Sequence, residues 1–281
     1  MGRASASETA ARDVAPGATI GVFDSGFGGL TVLRELLPLV PGAHYIYLGD
    51  TARLPYGAKS QATIARYAVE SSRFLESRGA DRLVIACNTA SALAMPEIVS
   101  SVNIPVVGVI APIVQMTHDK HRGAETLVLA TTATVESHAY RILCEARGLH
   151  PTEKACPLLV PLIEEGWVDH PITRDVLRIY LREALDLCSP TVVILGCTHY
   201  PLIAPMVSET LKELDSSAEV VDSAKATALL VSQAYQAPSS SSTPSATFEC
   251  YATDSVEKFA RLGSQFLGLP IPRVELLDLG G

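Results

Sequence analysis

Residues 83–96 read LVIACNTASALAMP, and residues 192–205 read VVILGCTHYPLIAP. Each stretch is an aliphatic run, then a cysteine, then a polar pair containing threonine, then a helix-period segment with a proline eight or nine residues past the cysteine. The two cysteines, Cys87 and Cys197, lie 110 positions apart (197 less 87). An unbroken β-branched or aliphatic run of this length reads as a strand covered on both faces, the pattern of a parallel sheet. Weaker echoes recur in the same order at a similar offset: GVFDSG from Gly21 with LVLATT from Leu127, and YIYLGD from Tyr45 with LLVPLIEEG from Leu158. The repetition predicts two related α/β units. Each sets one thiol at the C-terminal end of a strand, where open α/β sheets present their ligand sites.

Working outward, strands are predicted at 19–23, 45–48, 83–86, 106–110, 126–130, 158–161, 192–196, 219–221 and 248–252. Helices are predicted at 60–78, 172–187 and 255–267. The first of these aligns Ile64, Tyr67, Ala68, Ser71, Phe74 and Leu75 on one face and stops at Gly79, a natural C′ residue. Alternation of this kind means an α/β fold, expected as two pseudo-symmetric units with mainly parallel sheets and the active site between them. The 281 residues are 48% apolar and 19% charged, enough for a sizeable core and incompatible with wholesale disorder.

A formal charge of −8 argues against nucleic-acid binding, whose footprint is basic. The longest aliphatic stretches are too short to span a bilayer, so no membrane association is expected. Residues 1–17, Ala- and Ser-rich, read as a flexible tail without a signal-peptide core, and 237–245 as a mobile surface loop. Six widely spread cysteines without a CxxC pair read as free thiols in a cytoplasmic chain.

Cys144, Cys156, Cys188 and Cys250 read as small buried hydrophobes. Cys87 and Cys197 differ in being a matched pair with polar companions, Asn88-Thr89 and Thr198-His199. A thiol on a strand-to-helix turn lies near unpaired N–H groups, which favour thiolate. Two thiols facing one cleft suit proton removal from one face of a carbon and return to the other, one acting as base and its partner as acid. Donors preorganised in a water-poor space must then stabilise the developing enediolate-like charge. Asp24 ends a strand before a Gly-rich turn and could pair with an ammonium, or simply cap the next helix. Ser25, Asn88, Thr89 and Thr198 offer short donors at helix starts, suited to carboxylates or to capping alone. An imidazole ordinarily titrates near neutrality, so His199, two residues after Cys197, could tune that thiol or protonate the substrate side. Asp50 reads as either a turn-former or a site acid, and Trp167 as packing.

GVFDSGFGGLTVLREL from Gly21, YLGDTARLPYG from Tyr47, ACNTASA from Ala86, VPLIEEG from Val160 and GCTHYPL from Gly196 together resemble the glutamate racemases, in order and at fitting spacing. The resemblance covers the chain from about residue 18 onward. It implies interconversion of L- and D-glutamate without a cofactor, D-glutamate being supplied to peptidoglycan synthesis. It also implies that Cys87 and Cys197 are the proton donor/acceptors, assisted by Asp24, Glu164 (in preference to its neighbour Glu165) and His199. The segments Asp24-Ser25, Tyr56-Gly57, Asn88-Thr89 and Thr198-His199 would hold the amino acid, with no metal. By the same resemblance one domain comprises 18–110 plus 222–281 and the other 111–221, in a homodimer.

Five other readings compete. Gly26-Phe27-Gly28 with Asp50 24 residues beyond Gly26 suggests dinucleotide binding, but Thr31 takes the third glycine position. None of the six lysines (Lys59, Lys120, Lys154, Lys212, Lys225, Lys258) stands at a strand end where pyridoxal phosphate would be held, and Cys197-x-His199 alone is too little for zinc. Aspartate or hydantoin racemases share the two-thiol plan. A binding-only role, as in topoisomerase inhibition, would not need matched thiols.

Overall fold

A computed structural model of the chain describes residues 17–235 and 245–279. The predicted tail at 1–17, Gly17 apart, and the predicted loop at 237–245, Ser245 apart, lie outside the described residues. Among the described residues, ten strands form two sheets in which every neighbouring pair is parallel. The first holds β1 (Thr19–Asp24), β2 (His44–Gly49), β3 (Arg82–Ile85), β4 (Val106–Gly108), β9 (Thr247–Ala252) and β10 (Val274–Leu276), ordered β10-β9-β2-β1-β3-β4. The second holds β5 (Glu125–Ala130), β6 (His150–Ala155), β7 (Val192–Gly196) and β8 (Glu219–Asp222), ordered β6-β5-β7-β8. The orders β2-β1-β3-β4 and β6-β5-β7-β8 are the same arrangement, so the repeat read in the sequence is a repeat of topology. β3 and β7, which carry the two cysteine turns, hold equivalent places in it.

Helices fill the connections: α1 (Leu30–Leu39), α2 (Gln61–Ser77), α3 (Asn88–Leu93), α4 (Met95–Ser101), α5 (Ile110–Lys120) and α6 (Thr132–Glu136). They continue with α7 (Ala139–Glu145), α8 (Leu159–Glu164), α9 (Pro171–Leu185), α10 (Ala204–Glu213), α11 (Ser223–Gln233) and α12 (Val256–Leu267). Local chemistry fixes their ends. Ser60 caps α2 by accepting from the Thr63 N–H at 3.3 Å, and Gly79 takes the left-handed φ of +94° beyond its last turn. At the end of α1 the buried Tyr45 hydroxyl lies 3.1 Å from the carbonyl oxygens of Val40 and of Leu36, the latter already accepting from the Val40 N–H at 2.9 Å. None of the helices among the described residues is long and apolar enough to cross a membrane.

The third sequence echo is wrong in its partner. Of residues 158–161, expected as a strand, Leu158 precedes and the rest open α8, whose buried Leu159 and Ile163 are four apart, the spacing of one helical face. The true counterpart of β2 is β6, HPTEKA, an edge strand with no fully buried residue. Its polar composition gives no apolar run or alternation to detect. The short edge strand β10 escaped for the same reason. The remaining predicted strands are found within a residue or two of their expected bounds.

Candidate active site

The β1 turn lies between the two cysteine turns. Asp24 ends β1, is 1% exposed, and accepts through Oδ2 from the N–H groups of Gly26 (3.1 Å) and Gly29 (3.0 Å). Its Oδ1 is buried with no partner. Burial raises its pKa from the ordinary 3.8, and the turn N–H groups and His199 only partly offset this. The carboxylate therefore consumes the donors that a pyrophosphate would need, which weighs against dinucleotide binding. Further along the turn, a methyl on Gly28 would stand 2.4 Å from Thr198 Oγ1 and 2.5 Å from His199 Nδ1. Only glycine lets the first-sheet turn approach the Cys197 turn so closely.

Cys87 follows β3 and caps α3, its Sγ accepting from the Ala90 N–H at 3.4 Å while the thiol donates to Ser25 Oγ at 3.5 Å. The sequence reading expected the helix start to favour thiolate. Burial wins instead, reinforced by the Asp24 charge, and the thiol is pushed up to about 12. Cys197 follows β7 with its Sγ 3.9 Å from His199 Nδ1. On the far side of that ring, Nε2 meets Glu164 Oε1 at 3.2 Å. Burial acts to lower the His199 pKa, but Cys197 and Glu164 outweigh it and raise the pKa from 6.5 to about 10. Glu165 terminates α8 instead of facing the histidine. Each cysteine residue is 5% exposed and has a polar partner, so neither sits in purely apolar packing.

The remaining predicted residues fall into two groups. Thr89 Oγ1 lies 3.1 Å from Thr131 Oγ1 and 3.2 Å from Thr134 Oγ1, and those two are 2.9 Å apart. A Cβ on Gly57 would meet Thr131 at 3.5 Å, so the Tyr56-Gly57 turn belongs to this hydroxyl cluster. Sequence reading missed Thr131 and Thr134, although the echo of GVFDSG in LVLATT marked the turn after β5 as the partner of the Asp24 turn. Asn88 joins a second group, its Oδ1 accepting from Tyr140 at 2.7 Å and its Nδ2 donating to Ser223 at 3.5 Å.

Asp50 is a structural acid. Both its oxygens accept from Arg53 Nε (2.9 and 2.7 Å), and they also accept from the Tyr56 hydroxyl (2.5 Å) and the Thr253 hydroxyl (2.9 Å). The network anchors the turn that carries Tyr56 and Gly57. Trp167 stacks on His170 with ring centroids 4.5 Å apart, as packing. A cavity of about 650 Å³, lined by Gly108, Ile110, Gln115, Arg147 and Leu229 among others, is separate from this site and touches none of its residues.

The profile of the Asp/Glu/Hydantoin racemase family matches residues 20–231. The fold is similar to a solved glutamate racemase from Thermus thermophilus in complex with beta-chloro-D-alanine (36% identity, TM-score 0.82, 95% of this chain and 99% of that one). It is equally similar to one from Francisella tularensis in complex with D-glutamate (33% identity, TM-score 0.82, 94% and 98%). The chain belongs to the Asp/Glu/Hydantoin racemase family and is an isomerase. Within that family it stands among the glutamate racemases: the protein of that name from Koribacter versatilis is 49% identical over 93% of this chain and 98% of its own, and glutamate racemisation is the reaction assigned here.

Proposed function

We propose that the chain interconverts L- and D-glutamate by proton transfer between two thiols, Cys87 and Cys197, without a cofactor. The observation that carries this reading is the equivalence of β3 and β7 in the two sheets, each ending in one of these cysteines, with the Asp24 turn between them. From L-glutamate, the Cys197 thiolate takes the α-proton: the C–H bond breaks and an S–H bond forms. The Cys87 thiol then gives its proton to the opposite face, breaking S–H and forming C–H. D-glutamate leaves with Cys197 protonated and Cys87 ionised, and the reverse reaction starts from that state. A resting Cys87 thiol held up to about 12 suits the donor's part in the L-to-D direction.

In this reading the unpartnered Asp24 Oδ1 receives the substrate ammonium, which satisfies a buried acceptor otherwise left at a cost of about 1–3 kcal/mol. Ser25, Tyr56-Gly57, Asn88, Thr89 and Thr198 supply donors to the carboxylates, joined by Thr131 and Thr134. His199, paired with Glu164, exchanges a proton with Cys197. We further propose a division into domains 18–110 plus 222–281 and 111–221, which follows the way the strands divide between the sheets. A homodimer in the cytoplasm supplying D-glutamate to peptidoglycan completes the proposal, on family resemblance.

The test is a coupled assay of purified protein with D-glutamate and with D-aspartate, no cofactor added, followed by reaction in deuterium oxide. Deuterium should enter the α-position of product glutamate. Activity confined to D-aspartate, or wild-type racemisation by both Cys→Ser variants, would overturn the reading.

A further inference from the structure

Tyr140 touches both cysteine turns. It stands on α7, beside the second sheet, and is fully buried. A methyl on Gly196, the residue before Cys197, would lie 3.1 Å from its ring carbon Cε2. The hydroxyl of the same side chain donates at 2.7 Å to Oδ1 of Asn88, the residue after Cys87. Ser223, the first residue of α11 and 2% exposed, accepts from Asn88 Nδ2 at 3.5 Å. The three side chains form a chain of two hydrogen bonds in which the tyrosine donates to the amide and the amide to the serine.

Tyr140 sets which way the Asn88 amide faces. An amide carbonyl cannot donate, so a neutral phenol that must donate holds Oδ1 toward itself. Burial favours that neutral form, pushing the phenol well above 10. With Oδ1 on Tyr140 and one Nδ2 hydrogen on Ser223, a single amide N–H remains uncommitted among the described residues.

We propose that Tyr140 is a positioning residue for glutamate racemisation: it locks the Asn88 amide beside Cys87 with its one free N–H available to substrate, and packs against the Cys197 turn so that the two halves of the site keep register. This rests on the assignment of Asn88 to substrate binding. Asn88 is the contact residue, and Tyr140 acts through it. None of the readings from the sequence pointed to Tyr140, because its partner lies 52 positions away on an element of the other sheet's neighbourhood.

The experiment is Tyr140→Phe, which keeps the ring and deletes only the donor, with Ser223→Ala as second variant and Asn88→Ala for a double-mutant cycle. Racemisation is followed in both directions, with melting temperature as the control. Tyr140→Phe should raise KM for both enantiomers about tenfold, the scale of one buried hydrogen bond that orients a binding group. The fall in kcat/KM must be equal in the two directions because the enantiomers have equal free energy. Ser223→Ala should move KM the same way by less. In the Asn88→Ala background Tyr140→Phe should have no further effect on KM. A merely structural tyrosine would lower the melting temperature and leave KM alone, and additive losses in the double variant would show that Tyr140 does not act through Asn88. Either result overturns the inference. Absence of glutamate turnover by the wild type would instead remove the functional reading beneath it.

Discussion

The Thr31 hydroxyl donates to the carbonyl oxygen of Thr198 at 3.0 Å, joining the first turn of α1 to the second cysteine's turn across 167 residues of sequence. Gly28 lies three residues earlier against the same Thr198. Gly28→Ala should therefore push Thr198 and His199 off their positions. Overpacking of this kind costs about 1–3 kcal/mol, seen in denaturant unfolding, and racemisation should fall by at least about tenfold. An alanine variant of wild-type activity would mean the close approach is not needed.

Cys87→Ser and Cys197→Ser should each lower kcat/KM for glutamate by about 10²–10⁴, the usual share of a positioned acid or base. Neither should cost much stability, because serine is close in size and each turn offers it a polar partner. Circular dichroism at a fixed wavelength follows both the reaction and the melting curve.

Asp24→Asn separates activity from stability. Its carbonyl can still accept from Gly26 and Gly29, while the ionised group that burial disfavours is gone. The melting temperature should hold or rise. KM for glutamate should rise about 10- to 100-fold, as expected for a lost hydrogen bond between charged groups. A variant that melts far below wild type would contradict the geometry.

His199 supplies a pH prediction. Its folded pKa, raised from 6.5 to about 10, means its contribution to stability is complete below about 6.5 and disappears as pH climbs through about 10. Glu164→Gln removes one of the raising partners, so the imidazole should titrate lower and the stability loss should begin at lower pH. NMR titration of the His199 ring carbon reads the first effect and urea midpoints across pH 6–10 the second. An unmoved titration curve would show that Glu164 is not the partner.

Asp50→Ala strips the fully buried partner of the Arg53 guanidinium, 9% exposed, and leaves it only the partly exposed Glu70 carboxylate at Nη1. Removing one partner of a buried pair costs about 3–5 kcal/mol when the other charge is left alone, and Glu70 holds the cost toward the lower end. Stability should drop by that order, and binding should weaken too, since the Tyr56-Gly57 turn loses its anchor. Urea unfolding measures the first and KM the second.

The strand–helix alternation, the repeat and both cysteines were legible in the chain because each is local. Fully covered strands such as β3 and β7 are apolar but for Arg82 at the start of β3, and the residues that follow them are placed by the strand's end. β6 and α8 were misread for a reason just as local. An edge strand with no buried residue carries no hydrophobic signature, whereas LLVPLIEEG carries one that serves a short helix equally well.

By itself, the sequence determined the α/β class, the pairing of Cys87 with Cys197, and the companions that lie beside them in the chain. Only the tertiary structure decided which groups meet across it: Glu164 on His199, Thr131 and Thr134 on Thr89, Tyr140 on Asn88, and Asp50 in a structural network instead of the site. It also decided ionisation, turning a helix-start cysteine expected to favour thiolate into a thiol held up to about 12. The reason is physical. Backbone propensity and patterning act over a few residues, while desolvation and charge act through space, between groups that become neighbours only after the two sheets have folded.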